Sequence, residues 1–399
     1  MPSPGSSGAG TGTTRTPDLA EVLGAGLPAY TPHHPLPPHH RKTLHAILAC
    51  RTPVLGGHRY ACAHCRKQHW VAHSCRNRHC PTCQGAAALR WLAHQQAALL
   101  PVGYFHLVFT LPHTLNPLLR QNQAQLFKLL FDTAAATLVR FGRETLRAQI
   151  GVTAVLHTWS QTLLDHTHLH CVVTGGGLSA DRSRWIPSHP RYLFPVRALS
   201  RVFRAKFCEG LRQLHATRQL DFHGQLDPLQ TPTAFGALLR QLHDHAWVVY
   251  AKRPFAGPQQ VLTYLSRYTH RVAISNRRLL ALNRAAQTVT FAYRDNRQKR
   301  GPRTMTLSLA EFIRRFRLHI LPHRFVKIRH YGLLGNRHRH RLIPHTRQLL
   351  GIRSPPPTKS STETPTVRCP FCGCTQLIVL EVTRPAKAPP PSTSILDSS

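Results

Sequence analysis

Six of the eleven cysteines fall between Cys50 and Cys83, and no other feature restricts the possible folds as much. Cys62-Ala-His-Cys65 and Cys80-Pro-Thr-Cys83 are two C-x-x-C knuckles separated by the stretch 66–79. A knuckle presents two thiolates to one tetrahedral ion, and two knuckles at this spacing suit a small zinc-ribbon-like module. Clustering of this kind in a chain without a secretory leader fits metal ligation in a reducing compartment better than a disulfide framework. Cys50, His58, Cys75 and His79 lie within the same segment. They either supply a second, interleaved site of two cysteines and two histidines or pack as structural residues. Closed four-ligand sites are structural, so the module is expected to fold and present a surface, with no catalytic role. Lys67, Arg76 and Arg78 stand among the ligands, where they can reach phosphates. A third knuckle, Cys369-Pro-Phe-Cys372-Gly-Cys374, has no partner pair downstream, and spacing alone assigns it no metal.

Charge narrows the partners. The chain of 399 residues carries 52 Lys and Arg against 15 Asp and Glu, a formal net charge of +37. An excess this one-sided points to a polyanion, and nucleic acid is the default. With 42% hydrophobic residues and long periodic segments, wholesale disorder is excluded. No apolar run approaches a membrane span, which points away from an integral membrane protein.

Residues 1–27, rich in Gly, Ser, Thr and Pro, read as a disordered lead, followed by a zinc-binding region over 28–100 with flanking helices. The aromatic and β-branched content of 104–112 predicts a strand stopped by Pro112. A long amphipathic helix fits 117–147. Strands are expected at 152–161 and 168–177, joined as a hairpin across 162–167. Helices fit 197–217 and 232–245, with a buried strand at 246–252. A further helix should follow Gly257-Pro258. Strands near 271–282, 287–294 and 304–309 and a helix over 309–319 complete a core region of 101–345. Strands separated mostly by hairpin-length turns predict an α+β fold with an antiparallel sheet. Residues 346–366 read as a linker, 367–384 as a short Cys-bearing segment, and 385–399 as a disordered tail.

Two stretches carry chemistry. In Asp165-His-Thr-His-Leu-His-Cys171, a strand over 168–174 sets His168 and His170 on one face and Leu169 on the other. Two imidazoles at i, i+2 can chelate a divalent ion, although a chain this rich in His should hold about two His-x-His pairs by chance. In the second stretch, a helix beginning near Gln260 would put Tyr264 and Tyr268 on one face at i, i+4, with Val261 and Leu265 packed inward. Phenol, divalent metal and nucleic acid together suggest strand transfer, in which tyrosine oxygen attacks a phosphate that the metal polarises. Arg267, Arg271, Arg277 and Arg278 follow. Lys327, Arg329, Tyr331 and Arg337 sit in a run, Arg324 to Arg341, that interleaves charge with Phe325, His330 and Tyr331, as in single-strand grooves.

The stretches SCRNRHCPTCQ (74–84), YFHLVFTLP (104–112), HTHLHCVV (166–173), GPQQVLTYLSRYTHRVAISNRRL (257–279) and KIRHYGLLGNRHR (327–339) resemble, in this order, one family. It is the rolling-circle, two-tyrosine insertion-sequence transposases typified by insertion sequence ninety-one, which have a His-hydrophobic-His nuclease fold. The resemblance runs from about 45 to 345. It implies an N-terminal zinc-binding region, an antiparallel nuclease sheet, and Mg2+- or Mn2+-dependent cleavage of single-stranded DNA at element ends. It further implies that His168 and His170 are the metal pair and that Tyr264 and Tyr268 are the nucleophiles. Gln161, on the preceding strand, is the choice for a third polar ligand. A bacterial, nucleoid-associated cytoplasmic location follows from the same likeness. Two rivals remain: a three-carboxylate transposase, and a zinc-dependent nucleic-acid-binding protein without catalysis. Only ten acids between 28 and 345 are available to the first.

Overall fold

A computed structural model of the chain describes residues 16–252, 260–261, 272–294, 301–352 and 367–385. It begins with two helices, α1 (Leu19–Tyr30) and α2 (Pro38–Leu48). The first of these corrects the reading of 1–27 as disordered throughout. Asp18-Leu-Ala-Glu21 is a capping box: the Glu21 amide donates to Asp18 Oδ1 at 2.9 Å, and the Asp18 amide donates to Glu21 Oε2 at 2.8 Å. Two orphan donors of the first turn are thereby satisfied within the helix itself.

The strands β1 (Gly57–Cys62) and β2 (Gln68–Ala72) come next, then α3 (Pro81–Ala98). The central sheet is built from β3 (Tyr104–Thr110), β4 (Gln149–Trp159), β5 (Asp165–Leu178) and β7 (Val249–Lys252), with a short β6 (Trp185–Pro187) paired to β5. Between these strands lie α4 (Asn116–Gln121), α5 (Gln123–Glu144), α6 (Val196–Ala216) and α7 (Pro232–Asp244). A hairpin sheet follows, β8 (Leu279–Asn283), β9 (Thr288–Tyr293) and β10 (Arg303–Ser308), and leads into α8 (Leu309–Arg317). The last elements are β11 (Ile328–Gly332), α9 (Arg339–Leu349) and β12 (Leu377–Thr383). Helix α9 thus occupies the first residues of the segment expected as a linker.

The central sheet runs in the order β11-β4-β5-β3-β7, and every pair is antiparallel. The fold is α+β with antiparallel sheets. Alternation gives the central sheet two unlike faces. Phe105, Leu107, Phe109, Leu156, Leu169 and Val173 point to a core capped by Phe127 and Phe131 of α5, Phe203 and Phe207 of α6, and Phe235 of α7. Burying each such side chain contributes about 1.5–3 kcal/mol, so this layer holds the sheet rigid. His106, His157, His168 and His170 belong to the opposite face.

A second core joins the N-terminal helices to the hairpin sheet and α8. Leu19, Val22 and Leu23 of α1 pack with Leu44 and Ile47 of α2, Val289 and Phe291 of β9, and Phe312, Ile313 and Phe316 of α8. At Gly26 the helices approach so closely that an added Cβ would lie 2.7 Å from Ile313 Cδ1. The N-terminal helices are therefore packed into the body of the protein. They do not form a detached zinc-binding lobe.

Candidate metal centre and adjoining cleft

The β4–β5 hairpin brings three imidazoles together. Its register sets His157 opposite His168 and Val155 opposite His170, so all three histidines project from one face. Their ring nitrogens lie within 4.8 Å of one another. The His168 Nδ1–H donates to the His166 carbonyl oxygen at 2.7 Å, which makes Nε2 the nitrogen that carries the lone pair. His168 Nε2 and His170 Nε2 are 3.1 Å apart. Two nitrogens at right angles around one ion, each bound at about 2.1 Å, would stand about 3 Å apart, so the pair fits a shared metal. Behind His170 sits His106, whose Nε2 is 2.9 Å from His170 Nδ1. Burial, with the nearby charges of Lys252 and His168, holds His106 well down, to about 3, so its ring is neutral.

Gln161 lines the same cleft as these histidines. It lies in the turn between β4 and β5, where Ser160 N–H donates to the Leu164 carbonyl at 2.8 Å. His157, which the sequence did not single out, completes the histidine group that could hold a metal. Among the described residues, none of the three clusters able to hold a metal contains a carboxylate. Asp165, the acid next to the histidines in sequence, is paired with Arg120 through Nε at 2.7 Å.

The triad opens into a cleft of about 1300 Å³ between the central sheet and the β8–β10 hairpin. Trp159, Arg278, Tyr293 and Arg294 stand on its walls beside Arg120 and His166. Lys327 places its ammonium 5.0 Å from the Trp159 ring centroid. Tyr264, Tyr268, Arg267 and Arg271 lie outside the described residues. Val261, three residues before Tyr264 in sequence, is buried on the triad's side of the sheet against Tyr104 and Val172.

Several basic and aromatic residues expected to face DNA are turned to structural work. Arg278 donates from Nε to the Ala292 carbonyl at 2.7 Å and also bonds the Gln161 carbonyl, tying the hairpin sheet to the β4–β5 turn. Phe325 is in the core against Phe127 and Phe131, and Arg329 stacks over Phe131 at 4.3 Å. Tyr331 is half-buried, and burial pushes its phenol up to about 12. Arg78 donates to the Phe325 carbonyl. Arg277 and Arg337 are exposed, where they can meet phosphates.

The cysteines pair differently from the nearest-neighbour expectation. Cys80 and Cys83, at the start of α3, converge with Cys50 and Cys75, and Cys83 Sγ is 3.5 Å from Cys50 and 3.6 Å from Cys75. Cys62 and Cys65 belong to another cluster, with Cys369 and Cys372. Hydrogen bonds from Cys75 and from the Cys83 and Thr82 amides hold the Cys80 thiol down, to about 5. The Cys65 and His64 amides do the same for Cys62, to about 6. Backbone N–H groups aimed at sulfur favour the thiolate that ligation requires. His58 and His79 join neither cluster. His58 packs against His73 with ring centroids 4.7 Å apart. His79 is half-buried, accepts from the Leu321 amide at 3.3 Å, and is held to about 3 by desolvation and by Lys327 and Arg78.

Among the described residues, no helix is long and apolar enough to cross a membrane. The zinc-binding domain of transposases matches residues 22–111, and a transposase family model matches residues 151–341. Transposase y4qJ of Sinorhizobium fredii is 43% identical over 391 residues, covering 94% of this chain and 97% of that protein. The transposase for insertion sequence element IS801 of Pseudomonas savastanoi pv. phaseolicola is 29% identical over 343 residues, 83% of this chain and 81% of that protein. No solved structure gives a significant match. With its four-cysteine clusters, its zinc-binding domain and a histidine triad on an antiparallel sheet, the chain belongs to the IS91 family of transposases.

Proposed function

We propose that this transposase cleaves and rejoins single-stranded DNA at its element's ends through a 5′-phosphotyrosine, in the rolling-circle manner. The observation that carries the reading is the convergence of His157, His168 and His170 at the base of a basic cleft, on the sheet face where Val261 is buried. Val261 stands three residues before Tyr264 in sequence.

Three imidazoles suit a borderline divalent ion, so the donor set favours Mn2+ over Mg2+, which prefers oxygen ligands. An ion held there would withdraw charge from the scissile phosphate. The chain's own residues do the rest. Arg294, on the cleft wall, and Lys327, beside Trp159, neutralise backbone phosphates. The oxygen of Tyr264 or Tyr268 forms a bond to phosphorus as the bond to the 3′-oxygen breaks. The tyrosine loses its proton, and the leaving oxygen becomes a 3′-hydroxyl. Because the phosphodiester is exchanged and not hydrolysed, its energy is kept for rejoining, and two tyrosines allow two strands to be held in turn. Cys50, Cys75, Cys80 and Cys83 form a closed four-thiolate zinc site with a structural role. Action on DNA places the protein in the cytoplasm at the nucleoid.

The test is incubation of a labelled single-stranded element end with Mn2+ or Mg2+, resolved under denaturing conditions. Metal-dependent nicking that is lost in His168→Ala supports the proposal. Binding without nicking in every metal would move the protein to a non-catalytic role.

A further inference from the structure

The two ends of the chain meet in one small module. Strand β12 adds to the edge of β1, which also carries β2, giving a three-stranded antiparallel sheet in the order β12-β1-β2. The knuckle before β12 faces the knuckle between β1 and β2. Cys62 Sγ is 3.5 Å from Cys372 Sγ, and Cys65 Sγ is 3.6 Å from Cys369 Sγ. All four sulfurs lie within 4.8 Å of one another. Sulfurs around a tetrahedral ion bound at about 2.3 Å stand ~3.8 Å apart, so this separation is that of a ligand set.

The backbone is built for the same purpose. The Ala63 amide donates to the Gln376 carbonyl at 3.0 Å, linking the knuckles directly. Within the second knuckle, the Gly373 amide donates to the Cys369 carbonyl at 2.9 Å. Lys67 caps the Phe371 ring at 5.0 Å, and Arg59 pairs with Glu381 at 3.1 Å. Gly56 gives a sign that does not depend on cysteine. Its φ is +73°, and an added Cβ would lie 2.1 Å from the Thr383 carbonyl oxygen. Only glycine lets β12 come so close.

Apolar burial does not hold this sheet. Ile378 is 57% exposed and Val382 54% exposed, and β12 buries no residue fully. Two or three strands without a buried face are not stable alone, whereas a structural metal supplies folding free energy that a core does not. We infer that Cys62, Cys65, Cys369 and Cys372 hold a second structural zinc, completing a zinc ribbon split across the chain. Its first knuckle and hairpin come from 57–72, and its second knuckle and third strand from 369–383. The ion acts as a clasp between the C-terminal segment and the N-terminal domain. The zinc-binding domain matched over 22–111 contains every ligand of the first cluster but only half of this one. Cys374 stays outside the site, its sulfur accepting from the Gln376 amide at 3.3 Å. The inference is independent of the nuclease chemistry.

The test is zinc content of the full chain purified without chelator, combined with native alkylation mapped by mass spectrometry. The expected result is two zinc ions per chain, falling to one in Cys369→Ser/Cys372→Ser and staying at two in Cys374→Ser. In the double variant Cys62 and Cys65 become alkylated, while Cys50, Cys75, Cys80 and Cys83 stay protected. The mapping on the unaltered chain needs no variant to fold: protection of Cys369 and Cys372 relative to Cys374 supports the clasp. Alkylation of Cys369 and Cys372 as fast as Cys374 in zinc-loaded protein would overturn it, as would two zinc ions retained in the double variant.

Discussion

His106 Nε2 lies 2.9 Å from His170 Nδ1, so the triad histidine is backed by a second, fully buried imidazole. With His170 donating from Nδ1, its Nε2 lone pair turns to the point shared with His168. Partners of this kind fix the tautomer of a metal ligand, and losing them costs about 10–100-fold in metal affinity. His106→Ala should therefore weaken Mn2+ binding by about that factor in a calorimetric or spin-resonance titration. His106→Gln, which keeps an acceptor, should lose less. Unchanged Mn2+ affinity in His106→Ala would remove the supporting role.

His157 and Gln161 make opposite predictions. His157→Ala should reduce nicking by at least about 100-fold, as expected of a lost metal ligand. Gln161→Ala should change it by less than about 5-fold, since the bond Gln161 makes to Arg278 runs through its backbone carbonyl, which the substitution keeps. Comparing rates of single-turnover cleavage in the two variants decides between them, and the reverse order would return the third ligand to Gln161.

The difference between those residues shows where sequence reading stops. A hairpin closed symmetrically across 162–167 would set Gln161 opposite His168. The observed turn at 160–164 shifts the pairing, so that His157 faces His168. Register depends on turn geometry and on a bulge between His157 and Trp159, and neither is written in side-chain periodicity. By contrast, the alternation of His168, Leu169 and His170 was legible, because Leu169 must enter the core. Helices α5, α6 and α7 were legible for the same reason: each has one apolar face. The cysteines misled in another way. Two knuckles close together in sequence invite pairing, but Cys62 and Cys65 meet a knuckle from the opposite end of the chain, and only tertiary structure brings distant segments together. Phe325 in its basic run looked like a stacking residue, yet it is core, because Arg329 covers Phe131 and Phe325 from outside.

Arg278 tests the division between binding and scaffolding. Its guanidinium bonds three main-chain carbonyls, those of Gln161, Ala273 and Ala292. Arg278→Ala leaves these acceptors without their charged donor and should lower stability by about 2–3 kcal/mol in denaturant unfolding. Arg277→Ala, at an exposed position next to it, should leave stability within about 0.5 kcal/mol and reduce the salt dependence of DNA binding. A stable Arg278→Ala variant with weakened DNA binding would reverse the two roles.

Acid sensitivity should report His40. Burial, followed by the charges of His39 and Arg317, holds it down to about 4 in the folded protein, against 6.5 for the ordinary group. The unfolded chain binds this proton first as pH falls, so the folded state loses stability progressively between pH 6.5 and 4. His40→Leu should lose less stability across that window than the unaltered chain, while above pH 7 the two should follow parallel courses. Parallel curves throughout would show that His40 contributes nothing to acid unfolding.

The proposed reaction joins a tyrosine to DNA under the control of the histidine triad. The direct measurement is protease digestion of protein trapped on a single-stranded element end with Mn2+, followed by mass spectrometry of nucleotide-bearing peptides. The expected product is a 5′-phosphotyrosyl linkage at Tyr264 or Tyr268, absent from His157→Ala and from Tyr264→Phe/Tyr268→Phe. Nicked DNA carrying a free 5′-phosphate, with no peptide attached and with cleavage unaffected by the double tyrosine substitution, would contradict it.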